Sequence, residues 1–133
     1  MKDNRVDFIQ CQRILQEIRE DLSADYAVSP SSTSYDILNA IRIKRFDRTI
    51  NGDWQITIDV CGVNDCFINI DEKHISDKDF IKFQIAGEIA RIIEIVGFCI
   101  KNITSCIFPY QNKLVKDWEN KTKERRKNES LCD

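Results

Sequence analysis

Apolar residues recur at helical spacing near the amino end of the chain. They stand at alternating intervals of three and four positions, at Phe8, Cys11, Leu15, Ile18 and Leu22. This spacing lines one face of an α-helix, so we predict a helix over residues 1–24 that docks on the protein's own core. Two heptads are too few to predict a coiled coil. Residues 25–35 are rich in serine and threonine without periodicity, which predicts a loop.

Alternating apolar and polar residues follow, and we predict a three-stranded antiparallel meander over residues 36–71. Asn51-Gly52 lies between two β-rich segments and indicates a hairpin with a type I′ turn, whose central residues need positive φ. Ile56, Ile58 and Val60 alternate with polar residues. The alternation predicts that one face of the sheet is buried and the other is exposed to solvent.

Residues 76–103 predict a long helix capped by Ser76, with apolar residues over more than half of its circumference. Such a helix must be covered on two sides, by the sheet and by either the other helices or a second copy. Pro109 is predicted to end this region, and residues 110–129 predict a final amphipathic helix with a basic tail. The fold class is therefore α+β, a single domain over residues 1–133 with its helices on one face of the sheet.

Composition narrows the class of protein. The chain has 133 residues, of which 42% are hydrophobic, and its formal net charge is -2, which argues against a disordered chain and a polycation. We find no secretory signal and no apolar segment free of charges, so we expect a cytoplasmic protein that does not enter the membrane. Abundant isoleucine, lysine and asparagine suggest an AT-rich genome, as in a bacterium or phage.

The six cysteines do not predict a disulfide framework, since Cys11 and two later cysteines (Cys99 and Cys106) fall in apolar helical patterns. Cys61 and Cys66 flank a predicted turn, where they could form a disulfide or, with His74, bind a metal ion. No second cysteine pair stands at zinc-ligand spacing, and no glycine-rich phosphate loop is present. We therefore predict neither a metal nor a cofactor.

One short pattern resembles the metal-dependent nucleases of the restriction-endonuclease-like fold. An acidic residue, Asp59, ends the second predicted strand, and Asp71 ends the third, followed by Lys73. This resemblance implies that Asp59 and Asp71 hold Mg²⁺ and that Lys73 assists the attacking water, with Gln84 or Glu17 supporting the site. The same acids also fit the solvent-facing side of an ordinary meander, so the nuclease is the second alternative.

Basic residues suggest nucleic-acid binding as the first alternative function. They form one group on the first predicted strand and another in the tail, at Arg42, Lys44, Arg45, Arg48, Arg125 and Arg126. The order of helix, sheet and helix resembles double-stranded-RNA-binding domains, which read shape and phosphates. The slightly acidic net charge argues against this function.

The preferred interpretation is a non-enzymatic protein-binding module, such as an inhibitor, immunity protein or adaptor. The excess of apolar residues in the helix over residues 76–103 indicates a surface that is covered by a partner. We expect a homodimer through helices 76–102 and 110–128. The candidate interface residues are Phe83, Ile93, Ile100 and Trp118, and each of them could instead belong to the core of its own chain.

Overall fold

The computed structural model describes residues 5–25, 39–60, 64–95 and 101–131, with side chains over 5–24, 39–59, 65–92 and 107–125. The described elements are α1 (Phe8–Asp25), β1 (Ile41–Arg48), β2 (Trp54–Val60), β3 (Asn64–Ile70), α2 (Lys78–Ile95) and α3 (Lys101–Leu131). The predicted α+β class and element order are confirmed. The predicted loop over residues 25–35 lies almost entirely outside the described residues.

Helix α1 packs on the sheet through most of the face that the sequence predicts, except that Phe8 at its start is exposed. Asp7 caps the helix, because its Oδ1 accepts a hydrogen bond from the Gln10 N–H at 2.8 Å. The apolar side chains of this face are almost completely buried: Cys11, Ile14, Leu15, Ile18 and Leu22. Helix α1 lies against β1 and α2, so its apolar face is used within the chain.

The three strands form an antiparallel sheet in the order β1-β2-β3. Its buried face consists mainly of isoleucine, as alternation predicts: Ile41, Ile43, Ile56, Ile58, Ile68 and Ile70. The hairpin between β1 and β2 is confirmed, but its turn is not type I′. Thr49 accepts a hydrogen bond from the Gly52 N–H and donates one to the Asp53 carbonyl, and Gly52 has a φ of 90°. This is a three-residue loop closed by a left-handed glycine, the usual alternative to a two-residue turn.

Helix α2 lies between the sheet and α3, which explains its wide apolar surface. It contacts β3 and α1 on one side and packs along α3 on another. The buried side chains of α2 include Ile81, Phe83, Ile85, Ala86, Ile89, Ala90 and Ile92. The sequence left open whether the other helices or a second copy of the chain cover the apolar surface of α2. Over the described side chains, elements of the same chain cover it.

The start of α2 differs from the prediction. The helix begins at Lys78, and the capping residue is Asp77 rather than Ser76, since Asp77 Oδ1 accepts a hydrogen bond from the Phe80 N–H at 3.1 Å. The second carboxylate oxygen of Asp77 accepts a hydrogen bond from the Trp118 indole N–H at 2.7 Å. Asp77 therefore both caps α2 and attaches α3 to it.

Pro109 does not end a helix, contrary to the prediction. It lies inside α3, which runs unbroken from Lys101 to Leu131. Helix α2 is described as far as Ile95, and residues 96–100 of the predicted helix 76–103 lie outside the described residues. A proline inside a helix removes one hydrogen bond and costs about 3 kcal/mol. Ile107 and Tyr110 on either side of Pro109 are buried, so packing of the helix on the core outweighs this cost. Within the described ranges, no helix combines the length and apolarity needed to cross a bilayer.

We expect Asp77→Ala to lower the free energy of unfolding by about 1–2 kcal/mol, because α2 loses its cap and the Trp118 indole loses its acceptor. Ser76→Ala is the matched control, with an expected change below about 0.5 kcal/mol. Urea unfolding followed by tryptophan fluorescence and by circular dichroism measures both variants. Equal losses for the two variants would contradict the assignment of the cap to Asp77.

Candidate functional site

The basic residues of β1 are each paired with a carboxylate of the same chain. The four ion pairs are Arg42–Asp59 at 3.3 Å, Lys44–Asp65 at 3.1 Å, Arg45–Asp47 at 3.9 Å and Arg48–Glu72 at 3.4 Å. The predicted basic surface is thus a row of alternating charges. Of the two candidates in the tail, Arg125 is exposed on α3, and the side chain of Arg126 lies outside the described residues.

A cleft of about 460 Å³ opens between α1 and β1, the edge strand beside it. Its lining combines α1 and the sheet: Gln12, Leu15, Arg19, Arg42, Ile43, Lys44 and Asp59. Leu15 and Ile43 are buried and form an aliphatic floor. Arg19, Arg42 and Lys44 contribute positive charge, and Asp59 contributes the carboxylate. The cleft is therefore apolar at its base and cationic around its opening.

Local structure explains how the cleft forms. The apolar face of α1 docks on β1, and this brings Arg19, at the edge of that face, next to the first residue of the strand. A guanidinium N–H of Arg19 donates a hydrogen bond to the Ile41 carbonyl, which attaches α1 to the start of β1. The register of β1 with β2 shifts between Ile43 and Arg45, so Lys44 is the extra residue of a β-bulge.

The ion pairs of the cleft leave its charges accessible. The Arg42 side chain is 71% exposed and Lys44 is 48% exposed, although each has a carboxylate partner. Ion pairs this exposed contribute only about 0–1 kcal/mol, so an incoming anion can share or replace the partner. The side chain of Asp59 is only 10% exposed and lies against Arg42.

The structure does not bring the predicted nuclease residues together. Asp59 is paired with Asp65 in the sheet register, whereas Asp71 follows Ile70, which is paired with Trp54 at the other end of β2. Five positions along a strand correspond to about 17 Å, too far for two carboxylates to share one Mg²⁺ ion. The carboxyl-terminal ends of neighbouring antiparallel strands lie at opposite ends of a sheet. The predicted meander alone therefore implies that Asp59 and Asp71 lie far apart.

The remaining residues of the nuclease proposal have other surroundings. Asp71 lies beside His74, at 2.5 Å between Oδ1 and Nδ1, and Lys73 is exposed in the same turn. Glu17 of α1 forms ion pairs with Lys78 at 3.0 Å and with Lys82 at 3.6 Å. Gln84 lies on α2. Over the described part of the chain, no group of three or more histidine, cysteine and acidic side chains is placed to hold a metal ion.

The candidate interface residues fall into two groups. Phe83 is buried and meets Trp118 edge-on, with 5.3 Å between ring centroids; both rings also contact Phe80. Within the described residues these two rings are packed between α2 and α3 of one chain. Ile93 lies on α2, but its side chain is outside the described part, as is the whole of Ile100. Their role at an interface stays a prediction.

The cysteines that the structure describes are free thiols. Cys11 is buried in the core, and this burial raises the pKa of its thiol to about 12, so the group is unreactive at neutral pH. Cys66 is also free and half-buried beside α2, where burial raises its pKa. Cys61, its predicted partner in a disulfide or metal site, lies outside the described residues, as do the side chains of Cys99 and Cys106.

A polar network joining the three helices has no counterpart in the sequence-based predictions. The buried Tyr110 donates a hydrogen bond to Asp21 at 2.7 Å, and the Lys82 ammonium lies 3.0 Å from the same carboxylate. These residues come from α3, α1 and α2, so no local spacing in the sequence indicates their contact. All three are satisfied by one another, which is the usual arrangement of polar groups that position packed elements.

Comparison with protein-family models, with curated proteins and with solved structures gives no match for this chain. The chemistry of its own surfaces is therefore what bears on its function. The α1–β1 cleft is a described surface where cationic side chains surround buried aliphatic residues.

We expect the Asp71–His74 pair to contribute to stability in a pH-dependent way. The hydrogen bond from His74 holds the pKa of Asp71 below its ordinary value of 3.8. A lowered carboxyl pKa stabilises the fold fully above that ordinary value, and the contribution is lost as the pH falls through the lowered value. Asp71→Asn should therefore lower the free energy of unfolding near pH 6. The difference between this variant and the wild type should become smaller as the pH falls toward about 2.

Urea unfolding from about pH 2 to about pH 6 measures this difference. In a His74→Gln background, Asp71→Asn should show a smaller pH-dependent difference, because the partner that lowers the pKa is gone. If the two backgrounds give the same pH profile, His74 is not the cause of the lowered pKa.

Proposed function

We propose that the protein is a small non-enzymatic binding module that holds an acidic segment of another protein in the α1–β1 cleft. The observation that carries this proposal is the occurrence of Arg19, Arg42 and Lys44 around an aliphatic floor. An extended segment with alternating acidic and apolar residues complements both parts. Its carboxylates would meet the cationic opening, and its apolar side chains would lie against the small apolar surface that the nearly buried Leu15 and Ile43 leave at the base of the cleft.

The size of the cleft supports a short segment as the ligand. Binding pockets commonly enclose about 300–1,000 Å³, and the volume of about 460 Å³ falls in this range. This space accommodates a few side chains of an extended peptide. An arginine at the opening can bind a ligand carboxylate through two parallel N–H groups while it retains its partner in the same chain.

The charges support a protein ligand over a nucleic acid. The four basic residues of β1 stand beside four carboxylates, so the strand lacks the continuous basic surface that follows a phosphate backbone over many nucleotides. Among the described residues that line the cleft there is no aromatic ring on which a base could stack. The net charge of -2 adds no long-range attraction for a polyanion.

The same geometry favours a binding function over the nuclease alternative. The carboxylate of Asp59 is already opposed to Arg42, and Asp71 lies at the other end of the sheet. Inhibitors, immunity proteins and adaptors are classes of protein that act by binding through such a surface, without catalysis. The predicted homodimer through the helices 76–102 and 110–128 is not needed for this function.

The test is binding of a fluorescein-labelled peptide of alternating glutamate and valine, measured by fluorescence anisotropy. We expect Arg42→Gln/Lys44→Gln to weaken binding by about ten-fold or more, which corresponds to about 1.4 kcal/mol. The matched control is Lys116→Gln/Lys123→Gln on α3, which removes the same charge away from the cleft and should change the affinity less than about two-fold. Urea unfolding of both double variants verifies that they remain folded.

Two results would overturn the proposal. In the first, the control variant weakens binding as much as the cleft variant, which would show that only net charge matters. In the second, the acidic peptide does not bind while a duplex oligonucleotide binds with an affinity that falls steeply between about 50 mM and about 200 mM salt. That outcome would favour the nucleic-acid alternative.

A further inference from the structure

The two edge strands of the sheet differ in their protection against strand addition. Strand β1 carries a bulge at Lys44 and a row of charged side chains, which are devices that block pairing with another strand. Strand β3 keeps an uninterrupted register over its 7 residues and includes one charged residue, Asp65. A regular strand edge with little charge is the kind that pairs with a further strand.

The main-chain groups of β3 that point away from β2 can be identified from the hairpin. In an antiparallel sheet, successive residues direct their N–H and C=O groups to opposite neighbours. The hydrogen bond from the Thr49 N–H to the Asp53 carbonyl means that odd-numbered residues of β2 face β1 and even-numbered ones face β3. The even-numbered residues of β3 pair with the even-numbered residues of β2, so their main-chain groups point toward β2. The main-chain groups of Asp65, Phe67 and Asn69 therefore point to the outer edge, where no other strand of the described chain pairs with them.

The side chains of the same three residues lie on the face opposite the isoleucine layer. Phe67 is 51% exposed, and Asp65 and Asn69 on either side of it are also exposed. One apolar ring thus stands between an acid and an amide along the outer edge of the sheet.

We propose that β3 pairs with β3 of a second copy, antiparallel and about a two-fold axis at Phe67, to form a continuous six-stranded sheet. This register places Phe67 opposite Phe67 of the partner subunit and Asp65 opposite Asn69 of the partner subunit. The three facing pairs form about six main-chain hydrogen bonds, two for each pair. On the isoleucine side, Cys66 lies opposite Ile68 of the partner subunit, and Arg91 and Glu88 of α2 lie beside Cys66 within its own chain.

The pattern of charges identifies a second copy as the occupant. A two-fold axis at Phe67 never places like charges opposite each other, because the acid always faces the amide, which can donate a hydrogen bond to it. The same operation on β1 would bring two rows of arginine and lysine together. The inference stands on the β3 edge alone, and since the α1–β1 cleft lies at the opposite edge, pairing leaves the cleft open.

The experiment is sedimentation equilibrium of the full chain from about 5 to about 500 μM, since a dimer held by one strand pair dissociates on dilution. Asn69→Asp sets two carboxylates opposite each other in each of two symmetric pairs, and we expect the dimer Kd to rise by about ten-fold. Adding Asp65→Asn again places an amide opposite the acid and should restore the Kd to within about three-fold. Circular dichroism establishes that each variant is folded.

The rescue distinguishes pairing between copies from an effect inside one chain. Within one sheet Asp65 faces Asp59 and forms an ion pair with Lys44, whereas Asn69 faces Gln55 and accepts a hydrogen bond from it. The two substituted positions therefore share no partner within one chain. Asn112→Asp is the control, because it adds the same charge at an exposed position of α3, which packs on the other helices; its Kd should equal that of the wild type. A wild type that remains monomeric at the highest concentration, or a double variant that remains as weak as Asn69→Asp, would overturn the proposal.

Discussion

The fold depends on the burial of isoleucine side chains between one face of a small sheet and two helices. Ile56 and Ile58 on the central strand are completely buried, as are Ile14 of α1 and Ile85 of α2. Each such burial contributes about 1.5–3 kcal/mol relative to an exposed side chain. The described helices stack on this one side, with α3 packed on the other two helices. The opposite face and the two strand edges are left with polar and charged residues.

Helix α3, which packs on the other two helices, is positioned by directional contacts as well as by burial. Two carboxylates take part in these contacts. Asp77 caps α2 and binds the indole of Trp118, and Asp21 of α1 binds both Tyr110 and Lys82. Apolar packing alone tolerates sliding between helices, whereas hydrogen bonds to buried or half-buried groups specify one arrangement. The orientation of α3 therefore follows from a few polar residues that lie far apart in the sequence.

The same one-sided packing makes the two sheet edges different from each other. Helix α1 flanks β1, and the bulge and charges of this strand produce a cleft rather than a pairing edge. Strand β3 has neither a bulge nor a row of charges and exposes Phe67. One edge is suited to recognition by side chains and the other to recognition by the main chain. Both follow from how a three-stranded sheet is covered on one face.

The sequence by itself determined the elements whose pattern is local. The spacing of Leu15 and Ile18 predicts the buried face of α1, and the alternation around Ile56 predicts the meander, because helices and strands each repeat their side-chain direction at a fixed period.

Tertiary structure decided what depends on distant residues. Asp77, rather than Ser76, caps α2 and also accepts a hydrogen bond from the Trp118 indole. Pro109 stays within a helix because the nearby side chains of Ile107 and Tyr110 are buried. The carboxylates opposite the basic residues of β1, the separation of Asp59 from Asp71 and the α1–β1 cleft all depend on strand register and helix docking. Local spacing cannot specify those contacts, because their free energy arises only when separate elements pack together.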